Sequence, residues 1–128
     1  MKKSIITILT FALSSLSANF NADIFDLLEM KTGESLLDLN QSESLEFADC
    51  AYALFPEDPM QALLRAKDSL KSGGRVLFAI SISRDSFKES MTQFREEAKE
   101  LGFKIIHSER YISEDLDEKV SVSLFRKV

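Results

Sequence analysis

Apolar and polar positions follow two rhythms along this chain, one of short apolar runs and one of helical stripes. From Asp49 to Leu54 the residues are mostly apolar over a short run, which predicts a buried strand. The run from Phe47 to Phe55 covers this strand and its exit. From Asp58 the spacing becomes helical, with Leu63, Ala66 and Leu70 on one face. Asp58 stands before Pro59 and three positions ahead of Gln61, which predicts an N-cap, a proline at the first helical position and a capping-box partner. Gly73 and Gly74 are expected to stop this helix, because a left-handed C-cap costs glycine little. Arg75 to Ile82 is apolar on both faces and predicts a central strand. That order describes one right-handed strand–helix–strand unit of a parallel sheet.

The pattern continues on both sides. Phe87, Met91, Phe94, Ala98 and Leu101 form a second apolar stripe, with Ser83 or Asp85 available as its cap. Gly102 ends it, and Phe103 is placed for the apolar contact that accompanies such an end. Lys104 to Ile112 predicts a strand, and Glu114 to Glu118 a turn. In Lys119 to Lys127, Val120, Val122 and Leu124 alternate with Ser121, Ser123 and Phe125, which predicts a strand with one wetter face. A short polar turn between these strands argues for an antiparallel pair. Upstream, Ala22 to Met30 reads as a short amphipathic helix capped by Asp23, with Ile24, Leu27 and Leu28 on one face. Lys31 to Gly33 breaks it, Ser35 to Asn40 is a short strand, and Gln41 to Glu46 is a polar connection. The expected fold is α/β: a small three-layer sandwich whose parallel strands are extended by a C-terminal antiparallel hairpin.

Composition narrows the classes. A chain of 128 residues allows one domain. A hydrophobic content of 45% and a charged content of 29% are those of an ordinary globular protein. The formal charge of −5, with no run of Lys or Arg, argues against a nucleic-acid partner. The acidic cluster Glu114, Asp115, Asp117 and Glu118 reads as a solvated loop. Cys50 has no second cysteine to pair with and reads as a small buried hydrophobe. His107 is the only histidine and Cys50 the only cysteine, so a zinc set has no support, and their places on separate strands do not favour a Cys50–His107 nucleophile pair. No G-x-S-x-G elbow occurs, and the Met91 and Phe94 stripe reads as core.

The N-terminus carries its own pattern. Met1-Lys2-Lys3 is cationic, Ser4 to Leu16 is apolar and uncharged, and Ser17-Ala18 are small. This is the layout of a bacterial-type secretory signal peptide, so residues 1–18 are expected to be cleaved from a domain over 19–128. The run is too short for a comfortable bilayer span, and no stable span is expected after cleavage. The expected location is periplasmic or secreted, or cytoplasmic if the segment stays uncleaved. An apolar helix packed on the domain, or a retained anchor, is the alternative reading of the same residues.

Asp49, Asp58, Pro59, Leu70, Lys71, Gly73, Gly74 and Arg75 stand in an order that resembles the second half of class I S-adenosylmethionine-dependent methyltransferases. In those proteins an Asp-led strand, a loop with Asp and Pro, a helix and a Leu-Lys-Pro-Gly-Gly-Arg turn precede the next strand. Ser72 stands where the family has proline. The likeness runs on through Arg84 to Ile106, and Lys31 to Asn40 looks like the family's first strand. The resemblance implies a shortened Rossmann-like sheet whose last strand lies between its two predecessors. It also implies S-adenosylmethionine as cofactor, with Asp38 near its methionine moiety and Tyr52, Ala53, Leu54 and Phe55 near the transferred methyl. Asn40 ends the same first strand. The plainer reading makes Asp38 a strand-end cap and the aromatics packing.

Two family features are missing. The glycine-rich loop after the first strand is replaced by Gln41-Ser42-Glu43-Ser44, and no glycine lies between Gly33 and Gly73. Gln41 to Glu46 is also too short to hold the family's second and third strands with their helices. Without those strands the first becomes a sheet edge, open to a second copy or a protein partner. Three functions fit: a degenerate, exported, non-catalytic binding or assembly module; a minimal working methyltransferase; or an unrelated periplasmic α/β protein.

Overall fold

The structure, a computed structural model, describes residues 24–41, 47–112 and 118–128. The expected signal peptide, the helix start at Ala22 with its Asp23 cap, and most of the two polar connections, 42–46 and 113–117, lie outside the described residues. The chain divides into two units, Met1–Glu34 and Ser35–Val128. In the first, residues 24–27 are helical, with Ile24, Leu27 and Leu28 buried. Lys31 N–H donates to Glu34 Oε1 at 2.7 Å across the break that follows.

The second unit contains β1 (Leu36–Asp38), β2 (Ala48–Leu54), α1 (Pro59–Ser69), β3 (Leu70–Ser83), α2 (Phe87–Glu100), β4 (Phe103–Ile112) and β5 (Glu118–Lys127). The sheet order is β1-β2-β3-β5-β4. β1, β2 and β3 are parallel, and β5 runs antiparallel to both neighbours. The last strand thus lies between its two predecessors, and β1 is an edge, as the resemblance implies. This is a shortened Rossmann-like sheet.

Successive right-handed crossovers stepping the same way across a sheet put their helices on one face. α1 and α2 accordingly share one core: Leu63 and Ala66 with Met91, Phe94 and Ala98, over Ala51, Val76, Phe78 and Phe125. Four rings interlock there edge-to-face. Phe78 and Phe94 have centroids 5.2 Å apart, and Phe125 lies 6.0 Å from each and 6.3 Å from Phe103. The opposite sheet face is also withdrawn from solvent, at Cys50, Leu77, Ala79, Val122 and Leu124.

Asp58 caps α1 as its sequence predicts, Oδ1 accepting from Met60 N–H at 3.1 Å and Gln61 N–H at 3.3 Å. Gly73 and Gly74 do not cap its other end. The helix stops at Ser69, and Leu70 is already extended (φ −94°, ψ 143°). The free carbonyls at that end, Lys67 and Leu70, take Lys127 Nζ from β5, at 2.8 Å to Leu70 O. The glycines serve β3 instead. Leu70 pairs with Ala48, the register shifts, and the ladder resumes at Cys50↔Arg75. Gly73 turns the chain in this shift with φ +83°. At Gly74 a Cβ would stand 2.8 Å from Lys71 O and 3.1 Å from Asp49 O, so backbone approach across β2 and β3 excludes a side chain.

Two further expectations are corrected. α2 is capped by Ser86, not Ser83 or Asp85, and Ser86 makes no side-chain bond to the helix backbone. Its hydroxyl lies 2.8 Å from that of Ser83 instead. The serine face of β5 is not wet: Ser121 and Ser123 are each 1% exposed. Flanked by β3 and β4, these hydroxyls meet one another at 3.4 Å, and Ser123 meets Ser108 at 3.5 Å. Gly102, by contrast, ends α2 as expected, at φ +92°, with its N–H on Lys99 O at 3.1 Å.

Candidate functional site

Ligands in open α/β sheets bind outside the carboxyl ends of the strands. Here the ends of β1 and β2 meet because Asp38 pairs with Tyr52. After β1 the chain turns at once. Leu39 is buried, its N–H on Tyr52 O at 2.9 Å. Asn40 N–H donates to Asp38 Oδ1 at 3.0 Å, and Gln41 N–H to Asp38 O at 3.3 Å, closing an Asx turn. The Asn40 amide reaches over β2 and donates to Leu54 O at 2.8 Å. Arg65 of α1 donates to Leu39 O at 3.0 Å.

Tyr52 shares this face with Asp38 and hydrogen-bonds to its carboxylate. Burial pushes the Tyr52 phenol up to about 12, and the negative charge and hydrogen bond of Asp38 add to the effect. Phe55 leaves β2 in the left-handed region at φ +51°, its N–H on Ala79 O at 2.7 Å. A non-glycine residue there costs about 1–3 kcal/mol. The structure therefore brings Asp38, Asn40, Tyr52 and the Leu54 carbonyl into one cluster, with Phe55 on the turn beside it. Ala53 faces the other way, fully buried in the core beneath the helices.

At the amino ends of the same strands a second polar staple joins β1 to β2. Asp49 Oδ2 accepts from Ser35 N–H at 3.0 Å and Ser35 Oγ at 3.2 Å, and Asp49 N–H donates back to Ser35 Oγ at 2.9 Å. The Ser35 backbone bond, aided by Lys71 Nζ at 3.5 Å, holds the Asp49 carboxyl below its usual range. This aspartate, which leads the strand in the sequence pattern, thus fastens the sheet.

On the helical face, a cavity of about 360 Å³ opens between the loop after β2, the end of β3 and α2. Pro56, Met60, Ile82 and Met91 supply apolar walls; Ser90 and Gln93 supply hydrogen-bonding groups. None of the six residues singled out at the strand ends lines it. Sequence reasoning assigned Met91 to the core, where it is indeed 2% exposed. The signal for the cavity was the proline-bracketed loop from Pro56 to Pro59 at a strand exit.

Cys50 and His107 are kept apart by the intervening β3 and β5, roughly 14 Å at the usual strand spacing. His107 Nε2 lies 3.2 Å from Glu109 Oε1, within ion-pair distance but without hydrogen-bond alignment. Among the described residues no group of three metal-ligating side chains occurs, and no helix is long and apolar enough to cross a membrane.

No known protein family matches the chain by sequence, and no curated protein does. Solved structures do match. TrmN from Thermus thermophilus superposes with a TM-score of 0.62 at 12% identity, over 94% of this chain and 52% of that one. The fold is that of the class I S-adenosylmethionine-dependent methyltransferases. The N-methyltransferase NodS from Bradyrhizobium japonicum WM9, solved with S-adenosyl-L-homocysteine, matches this methyltransferase-like chain with a TM-score of 0.51 at 15% identity. That match covers 88% of this chain and 63% of NodS. The [4+2]-cyclase SpnF matches with a TM-score of 0.53 at 15% identity, over 71% of this chain and 55% of SpnF. The chain spans less than two thirds of each of these three structures. A cyclase among them is a reminder that this fold carries more than one chemistry.

Proposed function

We propose that this methyltransferase-like domain does not transfer methyl groups and serves as an exported binding or assembly module. One observation carries the reading: the polar groups at the end of β1 are engaged within the fold itself. Asp38 receives Tyr52 and the Asn40 N–H, the Asn40 amide holds Leu54 O, and Arg65 holds Leu39 O. The chain that follows offers no glycine for close backbone approach to a nucleoside. These residues do not fit the grip that S-adenosylmethionine requires. The export half of the reading is supported by the cationic, apolar and small-residue order of residues 1–18. A second copy or another protein covering the β1 edge belongs to the same reading.

Calorimetric titration of the full chain with S-adenosylmethionine and with S-adenosyl-L-homocysteine is the test. No heat of binding is expected at millimolar ligand; saturable micromolar binding overturns the reading. Mass spectrometry of protein made in a secreting bacterium tests export, and an intact Met1 would remove it. A minimal working methyltransferase is the second reading, favoured by the NodS complex with S-adenosyl-L-homocysteine and by the left-handed Phe55 at a strand exit. It would hold the cofactor through Asp38, Asn40 and the Tyr52–Phe55 segment.

A further inference from the structure

The sheet has two edges of unequal reach. β1 offers three residues, whereas β4 offers ten, and among the described residues no strand pairs with its outer side. Beside β4, a groove of about 440 Å³ runs along α2, with Phe103 and Ile105 as its apolar floor. Ile105 and the adjacent Ile106 are each 40% exposed, so two large apolar side chains sit side by side on an open edge.

The rim of this groove is cationic. Arg95 and Lys99 come from α2 and Lys104 from β4, against the single carboxylate of Glu96. Arg110 extends the set: the pairings Ile105↔Phe125, Ser108↔Ser123 and Arg110↔Ser121 put all three β4 residues on the helical face. Arg95 already leans over the strand, donating to Ser108 Oγ at 3.3 Å. Four cations gathered along one edge run against a chain whose overall charge is −5.

We propose that the β4 edge and its groove form a docking site for an extended acidic segment of another protein. The segment adds to the sheet as a further strand, seats one apolar side chain over Phe103 and Ile105, and sets carboxylates against Arg95, Lys99 and Arg110. Strand addition takes its affinity from main-chain hydrogen bonds and its specificity from pockets for alternate side chains. The cations choose the sign of the partner and speed encounter. The register shift between Ile105 and His107 confines a regular new ladder to Ser108–Ile112, leaving the groove half to side-chain contacts. A second copy of this chain fits the site poorly. Antiparallel pairing of two β4 strands over Ser108–Ile112 would set Arg110 of one directly against Arg110 of the other, a like-charge pair. Docking at the β4 edge is independent of whether the strand ends of β1 and β2 bind anything.

Fluorescence polarisation of the full chain with a labelled Asp-Leu-Asp-Leu-Asp peptide tests this. Saturable binding is expected, at least tenfold tighter than for the Lys-Leu-Lys-Leu-Lys peptide and weakening as salt is added. The exposed double reversal R95E/K99E should reverse that preference while leaving the circular dichroism spectrum unchanged. Methylating alternate backbone nitrogens of the acidic peptide should weaken binding at least tenfold, which simple charge attraction would not. The proposal is overturned if neither peptide binds, if both bind alike, if R95E/K99E leaves the preference intact, or if backbone methylation has no effect. It is overturned equally if sedimentation shows a dimer that R95E/K99E dissociates, which would give this face to a second copy.

Discussion

β1 and β5 belong to one sheet and are held in opposite ways. β1 is three residues long, pairs among the described residues on one side only, and is fastened by side chains reaching to backbone. Ser35 with Asp49 ties its start, and Asn40 and Arg65 tie its end. β5 is ten residues long and pairs on both sides. It carries Phe125, which meets three other rings. Burial of apolar area is worth far more than exposed hydrogen bonds, typically about 0.5–1.5 kcal/mol each. The scaffold should therefore draw its stability from the β3–β5 half and use the β1 half to shape strand ends.

The sharpest way to break this contrast is Phe125→Ala. It removes the hub of the aromatic cluster and should destabilise the domain by about 3–5 kcal/mol in urea or guanidinium unfolding. A loss below about 1 kcal/mol would show that the core is centred elsewhere. Asn40→Ala is the matching change at the β1 end. It frees Leu54 O at an exposed position and should cost about 0.5–1 kcal/mol in the same assay. Equal losses from the two substitutions would erase the distinction.

A further effect lies in pH. The Tyr52 phenol is raised in the fold to about 12 from an ordinary value of 10.0. Below pH 10 the phenol is neutral whether the chain is folded or not, and its contribution to stability is fully present. Between about 10 and 12 the unfolded chain ionises first, so stability falls as pH rises. Ultraviolet titration of the Tyr111→Phe protein should show Tyr52 ionising near 12 while folded; ionisation near 10 would mean that the phenol is neither buried nor set against Asp38.

Much of this architecture was legible before any coordinates. Helical spacing of Phe87, Met91, Phe94 and Ala98, and the Asp58-Pro59 start, placed both helices, because local propensity and the final fold agree there. Gly73 and Gly74 misled for a tertiary reason. A glycine pair after a helical run serves equally as a cap or as a close approach, and the deciding contact, Asp49 O, comes from another strand. Ser121 and Ser123 misled similarly: alternation reports two faces, but only the position of β4 shows that both are covered. At the strand ends, the topology rule located Asp38, Asn40 and Tyr52. That the Asn40 amide is engaged by Leu54 O depends on the β1–β2 register, which no single-chain pattern encodes.

Placing β5 between β3 and β4 has a consequence for how the protein is made. In a nascent chain that has emerged only as far as β4, β3 and β4 have no common neighbour, and Phe78 and Phe94 lack the ring of Phe125 that packs against both. The sheet can close only by a late, non-local insertion, a slow class of step during which exposed apolar surface invites aggregation. Translation of this domain is thus expected to leave a sticky, incomplete sheet until β5 arrives.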